Sequence, residues 1–304
     1  MKPIKVAILG ANGMLGSMLV RVFALDAQYQ LLATVRESGQ VKTWQKKYPE
    51  VIWRKLAAQG SLDGIVKVLK GFSWIINAIG IIKPHIQDDD AEKVERAIVI
   101  NAVFPFFLAR AAEKIGAKVI QIATDCVYSG KRGKYKESDP HDPLDVYGKT
   151  KSLGEAYGSQ MFHLRTSIIG PEIENHKSLL DWFLGQPKNA RVNGFTNHHW
   201  NGITTLHFAK IAEGIIKKNL RINHLQHLVP ASIVTKGKLL QVFAKEFDRK
   251  DLKIKMTKTK ESINRSLSTN NPELNKKIWQ AAGYQKIPKI EDMVKELAQY
   301  LKKQ

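Results

Sequence analysis

Three side chains near the middle of the chain have the types and spacing to move a proton to or from a substrate oxygen. Tyr147 and Lys151 close the run Tyr147-Gly148-Lys149-Thr150-Lys151, so on a helix the phenol and the ammonium share one face. A phenol titrates near pKa ~10 in water, and a neighbouring ammonium would stabilise the phenolate and lower that value. Tyr147 would then exchange a proton with a carbonyl or an alcohol near neutral pH. Thr124, 23 residues before Tyr147, ends an expected strand and opens Thr124-Asp125-Cys126-Val127-Tyr128. Its hydroxyl would hold and polarise the same oxygen. Alone, the Tyr-x-x-x-Lys spacing is served equally well by a surface lysine beside a half-buried tyrosine, so the reading depends on what accompanies it.

A second signal accompanies it at the start of the chain. Ile4 to Leu9 reads as a buried strand running directly into Gly10-Ala11-Asn12-Gly13-Met14-Leu15-Gly16 and then into an apolar helix, Met18 to Ala24. Gly10 permits the tight turn, Gly13 lets the backbone approach a pyrophosphate, and Gly16 lets the helix lie close to the strand. The helix N-terminus then faces the phosphates of a dinucleotide. The next strand, Leu31 to Val35, ends at Arg36, where a carboxylate is expected if the ribose 2′-hydroxyl is free. A guanidinium there suits a 2′-phosphate, which favours NADP(H) and leaves NAD(H) usable, with Glu37 next to it pulling the other way.

The elements that must position these groups alternate in the pattern of a doubly wound α/β sheet. Strands are expected near 4–9, 31–35, 51–55, 73–78, 117–123 and 161–165, with helical stretches between them. Strand Ser73 to Ala78 ends in small residues, Ala78-Ile79-Gly80, where the backbone passes close to the cofactor, and Ile81 to His85 is expected as a loop over the site. Asn101 is expected to form a structural polar bridge between neighbouring strands. Beyond residue 165 the pattern loosens: a helix from Ser178 to Leu184, another from Gly202 to Lys218, a short strand from Leu225 to Pro230, and a terminal helix from Glu291 to Lys302. The expected organisation is a dinucleotide-binding Rossmann domain over 1–169 and about 202–230, a smaller discontinuous α+β substrate domain over about 170–201 and 231–288, and a C-terminal helix over 289–304.

With 304 residues, 43% of them hydrophobic, the chain can bury a substantial core. It has no secretory leader pattern and no apolar run long enough for a membrane span, so a cytoplasmic location is expected. The lone Cys126 excludes an internal disulfide and a cysteine zinc site, and suits packing beneath the active-site loop. The net charge of +20 is spread through helices without aromatic interleaving, which reads as a solvated basic surface rather than a nucleic-acid or membrane interface. It would still favour an anionic substrate or cofactor. His198, His199, His224 and His227 have loosely metal-like spacing, yet no carboxylate completes a site, so no metal is expected.

Assembled, these residues resemble the extended short-chain dehydrogenase/reductases, and among them the dTDP-4-dehydrorhamnose reductase-like sugar-nucleotide reductases. The resemblance runs over nearly the whole chain. Gly10 to Gly16 is similar to the family's cofactor turn, Ala123 to Gly130 to its Ser-Thr-Asp-Tyr-Val-Phe-Asp-Gly element, and Pro143 to Glu155 to its catalytic helix. It implies a catalytic set of Thr124, Tyr147 and Lys151. It also implies cofactor contacts from Gly10, Asn12, Gly13, Met14, Leu15, Arg36, Ala78, Ile79, Gly80, Ala123, Tyr147, Lys151 and Ile168. Substrate contacts are implied at Lys83, Thr124, Asn175, Trp182, Gln186 and Arg265, the last where a family arginine approaches the nucleotide diphosphate. Ala123 stands in place of the family's serine and removes one hydroxyl. Cys126 stands where the related dehydratases carry a glutamate, which disfavours loss of water. The implied activity is NADPH-dependent reduction of a nucleotide-linked keto-sugar in deoxysugar and polysaccharide biosynthesis, with a homodimer among the assemblies it allows. An epimerase retaining NAD, and a noncatalytic dinucleotide-binding regulatory subunit, stay open beside it.

Overall fold

Each of the six strands expected in the first half forms in the computed structural model, which describes residues 2–174 and 176–303. In chain order these are β1 (Ile4–Leu9), α1 (Met14–Phe23), β2 (Tyr29–Val35), α2 (Ser38–Lys47), β3 (Ile52–Lys55), α3 (Leu62–Leu69), β4 (Trp74–Asn77), α4 (Ala91–Ile98), α5 (Phe104–Ile115), β5 (Lys118–Ala123), α6 (Val146–Leu153) and β6 (Met161–Arg165). The later part adds β7 (Ile168–Ile169), α7 (Leu179–Leu184), β8 (Arg191–Phe195), β9 (His198–Trp200), β10 (Ile203–Thr204), α8 (Thr205–Lys217), β11 (Leu225–His227), β12 (Val234–Thr235), α9 (Lys236–Glu246), β13 (Lys253–Thr257), β14 (Ile263–Asn264), α10 (Pro272–Ala281) and α11 (Ile290–Lys302). The first helix begins at Met14 rather than the expected Met18, because Gly16 is accommodated inside it. The expected helix from Gly202 opens instead with the short strand β10.

Seven strands form one parallel sheet in the order β11-β6-β5-β4-β1-β2-β3. This is the doubly wound α/β fold class expected from the alternation. Along β1, Val6 and Ile8 pack on one face with α1 and α8, while Ala7 and Leu9 pack on the other with α3 and α5, so both faces are covered. The strand order reverses between β1 and β4, which opens a crevice at their carboxyl ends. The remaining strands form small sheets, β10-β7, β12-β9-β14 and β13-β8. Among the described residues no helix is long and apolar enough to cross a membrane.

A buried cation fixes the last strands of the large sheet to the loops around the crevice. Arg165, at the end of β6, is fully buried. Its guanidinium donates to both oxygens of Glu155 (3.0 and 2.6 Å), to the Tyr128 hydroxyl (2.6 Å), to His227 Nε2 (2.7 Å) and to His141 Nε2 (2.8 Å). Arginine can only donate, so both imidazoles must accept at Nε2 and carry their proton on Nδ1. Those protons go to the Ser268 carbonyl (2.7 Å) and the Ser152 hydroxyl (2.7 Å). One side chain thereby joins β6, the end of α6, the loop after β5, β11 and the segment before α10.

The histidines behind this sheet are kept neutral. Burial brings His163 down to about 4, with its Nε2–H donating to the Ala156 carbonyl at 2.9 Å and its Nδ1 buried without a partner. An unfolded histidine takes up its proton near pH 6.5, so between pH 6.5 and about 4 the unfolded chain binds a proton that the folded one refuses. Stability therefore falls as the pH drops through that window, by roughly 3 kcal/mol from this group. Urea midpoints measured from pH 7.5 to 4 should decrease accordingly, and His163→Leu should make that decline shallower; an unchanged slope would refute the assignment.

Candidate active site

A cleft of about 700 Å³ occupies the crevice. Its first wall is the turn between β1 and α1. Gly10 sits at φ +76°, a conformation L side chains rarely adopt, and its N–H donates to the Thr34 hydroxyl at 3.3 Å. A Cβ on Gly16 would lie 2.0 Å from the Gly10 carbonyl oxygen, so only glycine lets α1 approach this closely. Gly13 caps α1 without a side-chain acceptor and the first turn carries no acidic residue, which leaves the helix N-terminus facing the cleft as an anion site. Arg36 follows β2 on the cleft wall, exposed and 3.4 Å from Glu37.

The opposite wall comes from β5, β6 and α6. Thr124 caps the short turn Asp125–Val127 by accepting the Cys126 N–H at 3.2 Å, and its hydroxyl donates to Asp125 Oδ1 at 3.3 Å. Asp145 starts α6 by accepting the Gly148 N–H at 2.8 Å. Two glycines let this helix press against its neighbours: a Cβ on Gly148 would fall 2.3 Å from the Cys126 carbonyl oxygen, and one on Gly154 only 1.8 Å from that of Asn101. Thr124, Tyr147 and Lys151 all line the cleft together.

The electrostatics of the phenol differ from the expectation. Burial, with Cys126, Asp125 and Asp145 in the same direction, raises Tyr147 above the ordinary phenol value, and the Thr124 hydroxyl opposes them. Lys151 does not lower it. The lysine is itself buried, which brings its ammonium down to about 8 against the pull of Glu155, and its Nζ donates to the Ile122 carbonyl at 3.1 Å. Burial also pushes the Cys126 thiol up to about 12, with Asp125 adding to the effect, so it is no ready nucleophile; it lines the cleft rather than lying beneath a loop.

Every position expected to touch the dinucleotide lines the cleft: Gly10, Asn12 to Leu15, Arg36, Ala78 to Gly80, Ala123, Tyr147, Lys151 and Ile168. The substrate positions are less gathered. Lys83 reaches away to Asp145 (2.7 Å), Trp182 is exposed, and Gln186 borders a separate shallow depression with Lys188 and Asp248 to Asp251. Arg265 lies beyond the lining residues, with Nε donating to the Tyr128 carbonyl at 2.9 Å. Asn175 falls outside the described residues. Asn101 bridges a different pair of elements from the one expected. A π-helical turn over Val99–Val103 turns it inward, and its amide joins Ile81 N–H and C=O (both 2.9 Å) to the Thr150 hydroxyl (3.3 Å), tying the loop after β4 to α6. The bridge between strands is made instead by Asn77 and Gln121, 2.6 Å apart on β4 and β5. Asp125, from the run opened by Thr124, and His85, from the loop expected over the site, also line the cleft, as do Ser167, Glu172 and Arg96, which nothing in their local sequence pattern singled out. No metal-ligating cluster occurs among the described residues.

The reversed strand order, the glycine turn and the Thr-Tyr-Lys wall define a doubly wound α/β fold with its cleft at the topological switch point. Residues 4–303 match the RmlD substrate binding domain family, and the chain belongs to it. The dTDP-4-dehydrorhamnose reductase of Aggregatibacter actinomycetemcomitans is 30% identical over 208 residues, 66% of this chain and 63% of that protein. The spore coat polysaccharide biosynthesis protein SpsK of Bacillus subtilis is 42% identical over 69 residues, 22% of this chain and 24% of that one. The chain thus spans less than two thirds of the length of these curated relatives. Among solved structures, the dTDP-4-dehydrorhamnose reductase of Bacillus anthracis in complex with NADP superposes with a TM-score of 0.76 at 18% identity, over 99% of this chain and all of that one.

The tight seat of α6 yields a direct test. Gly154→Ala should destabilise the protein by roughly 1–3 kcal/mol, since a methyl there overlaps backbone. Gly39→Ala, inside α2 with nothing within 4 Å of the added carbon, should be neutral or stabilise by about 0.5–1 kcal/mol. Urea denaturation of the two variants side by side separates loss of fit from a general intolerance of glycine replacement.

Proposed function

We propose that the protein is an NADPH-dependent reductase of a nucleotide-linked keto-sugar, of the dTDP-4-dehydrorhamnose reductase kind. The observation that carries this reading is the convergence of Thr124, Tyr147 and Lys151 on one wall of a cleft whose other wall is an uncapped helix N-terminus beside Arg36. The residues fit a dinucleotide: the glycine cradle admits a pyrophosphate, and Arg36 offers a guanidinium at the end of β2 for a 2′-phosphate. Bound NADPH would supply the hydride for the carbonyl carbon.

The chain's own groups supply the proton. A ketone that accepts hydride gains negative charge on oxygen, and Tyr147, held protonated at neutral pH by its buried setting, donates to that oxygen. Thr124 orients the oxygen, and Lys151, one helical turn after Tyr147 on the same cleft wall, reaches the ribose. In the same reading, residues 1–169 with 202–230 hold the dinucleotide, and 170–201 with 231–288 hold the sugar nucleotide.

NADPH oxidation followed by near-ultraviolet absorbance should occur with one of a panel of dTDP- and UDP-linked 4-keto-6-deoxy sugars. Tyr147→Phe should lower kcat by at least ~100-fold with NADPH affinity nearly unchanged; equal turnover in that variant would sink the mechanism. Arg36→Asp should weaken NADPH at least ~10-fold and leave NADH little affected. A parallel loss for both cofactors would show that Arg36 does not read the 2′-phosphate.

A further inference from the structure

The register of β5 and β6 sets Arg165 beside Ala123, and the Thr166 N–H still donates to the Ala123 carbonyl at 3.3 Å. Thr124 and Ser167 therefore enter the cleft lining from the ends of two strands about 5 Å apart. Thr124 has its place in the proton-transfer set, whereas Ser167, half-buried on the same wall, has none so far. It is met from the small sheet β12-β9-β14 by Trp200, a buried residue of β9, whose indole Nε1–H donates to the Ser167 hydroxyl oxygen at 2.9 Å.

The approach of the indole is built into the chain. The Ile203 N–H donates to the Ser167 carbonyl at 2.9 Å, and Ile203 and Thr204 of β10 then pair with Ile168 and Ile169 of β7. Gly202 passes so close that a Cβ on it would fall 2.2 Å from the Ser167 carbonyl oxygen and 2.5 Å from the indole Cζ2. Asn201, buried, ties the same segment to Leu267, accepting its N–H at 2.8 Å and donating to its carbonyl at 2.7 Å. An indole N–H can only donate, so the Ser167 oxygen accepts there and its own proton points elsewhere. Among the described residues that proton reaches no protein acceptor. A hydroxyl on a cleft wall that already accepts one hydrogen bond is polarised to donate the next.

We infer that Ser167 donates a hydrogen bond to an uncharged oxygen of the bound reactants, and that Trp200 is the positioning residue that sets the serine for it. The oxygen is the carboxamide oxygen of the nicotinamide or one on the sugar beside its reacting carbonyl. Phosphates have their own attraction at the N-terminus of α1 and Arg36, on the other wall, so a neutral acceptor near Thr124 is what remains for Ser167. The inference rests on the nucleotide-sugar reductase reading above and adds two residues to it. Because Trp200 falls in the 170–201 segment read as holding the sugar nucleotide, the seat of this hydroxyl depends on how that segment packs on the large sheet.

The test is isothermal titration with NADP+ and with its thionicotinamide analogue, in which a weakly accepting sulfur replaces the carboxamide oxygen. Steady-state NADPH oxidation with the dTDP- and UDP-linked 4-keto-6-deoxy sugars is measured beside it. One neutral hydrogen bond corresponds to about a 3- to 10-fold change in an equilibrium constant. With the nicotinamide as acceptor, Ser167→Ala should weaken NADP+ by that factor and leave the analogue unchanged. With the sugar as acceptor, both cofactors should bind as before and KM should rise by that factor at nearly constant kcat; either result upholds the inference. Trp200→Phe, which keeps a ring and removes the N–H, should move the same quantity in the same direction. The double variant should then be no worse than Ser167→Ala alone, a coupling that loss of packing does not produce. Unchanged NADP+ affinity with unchanged KM in Ser167→Ala, or equal weakening of NADP+ and its analogue, overturns the inference and leaves the reductase reading intact. Additive losses in the double variant overturn the role of Trp200. If the wild-type protein oxidises NADPH with none of the sugars, the reductase reading fails and the two titrations alone decide, equal or absent binding of NADP+ and its analogue overturning the inference. Should Ser167→Ala not fold because the indole N–H is left without an acceptor, the double variant, which removes donor and acceptor together, is read for the ligand contact by the same criteria.

Discussion

The buried guanidinium of Arg165 is the interaction on which the rest of the structure depends. A cation taken wholly out of water costs several kcal/mol unless every donor is satisfied, and here each of its nitrogens has a partner. Glu155 supplies the countercharge: burial alone would raise its carboxyl, but the guanidinium beside it holds it below the usual carboxylate range. The partners belong to segments far apart in sequence, so the network can be satisfied in only one arrangement of α6, β6, β11 and the loops at Tyr128 and His141. Removing either charge would strand the other in the interior. The arrangement is thereby specified more sharply than apolar contacts at the same positions would specify it.

Because Arg165 sits beside Ala123 in the register of β5 and β6, this specification reaches the cleft within one residue of Thr124. Glu155 anchors the C-terminal end of α6, and Asp145 caps the other end, so Tyr147 and Lys151 lie on a helix held at both termini. Gly148 and Gly154 convert that anchoring into contact, since the helix touches backbone at the Asp125–Val127 turn on one side and at Asn101 on the other. The phenol is half-buried as a result, and the same closeness that positions it also raises its pKa. Geometry and proton affinity are two consequences of one packing arrangement.

What the sequence discloses divides along the same line. Strand β1, the Gly10 to Gly16 turn and the Tyr147–Lys151 spacing are local: period, glycine placement and helical spacing state them outright, and Gly10, Asn12 to Leu15, Tyr147 and Lys151 line the cleft. Arg165 carried no such signal, because it reads simply as the last residue of a strand, and its meaning comes from Tyr128, His141 and His227 at distances of 24 to 62 residues along the chain. Asn101 was recognised as structural but assigned to the wrong elements, since a π-helical turn shifts the helical face by a residue and cannot be seen in hydrophobic periodicity. The direction of the Tyr147 shift failed for a related reason. Spacing tells that an ammonium is near, whereas burial of the phenol and the diversion of Lys151 to the Ile122 carbonyl are properties of the packed core.

The basic character of the chain can then be reconsidered at the scale of the cleft. A net charge of +20 says little while most lysines are solvated, and surface pairs such as Lys302 with Asp248 are worth little energetically. Inside the cleft the placement is uneven. Arg36 and the N-terminus of α1 make one wall attractive to anions, and the opposite wall presents a phenol kept neutral. The excess of positive charge over the whole surface raises the local concentration of such anions, but the pattern within the cleft decides which part of them faces Tyr147.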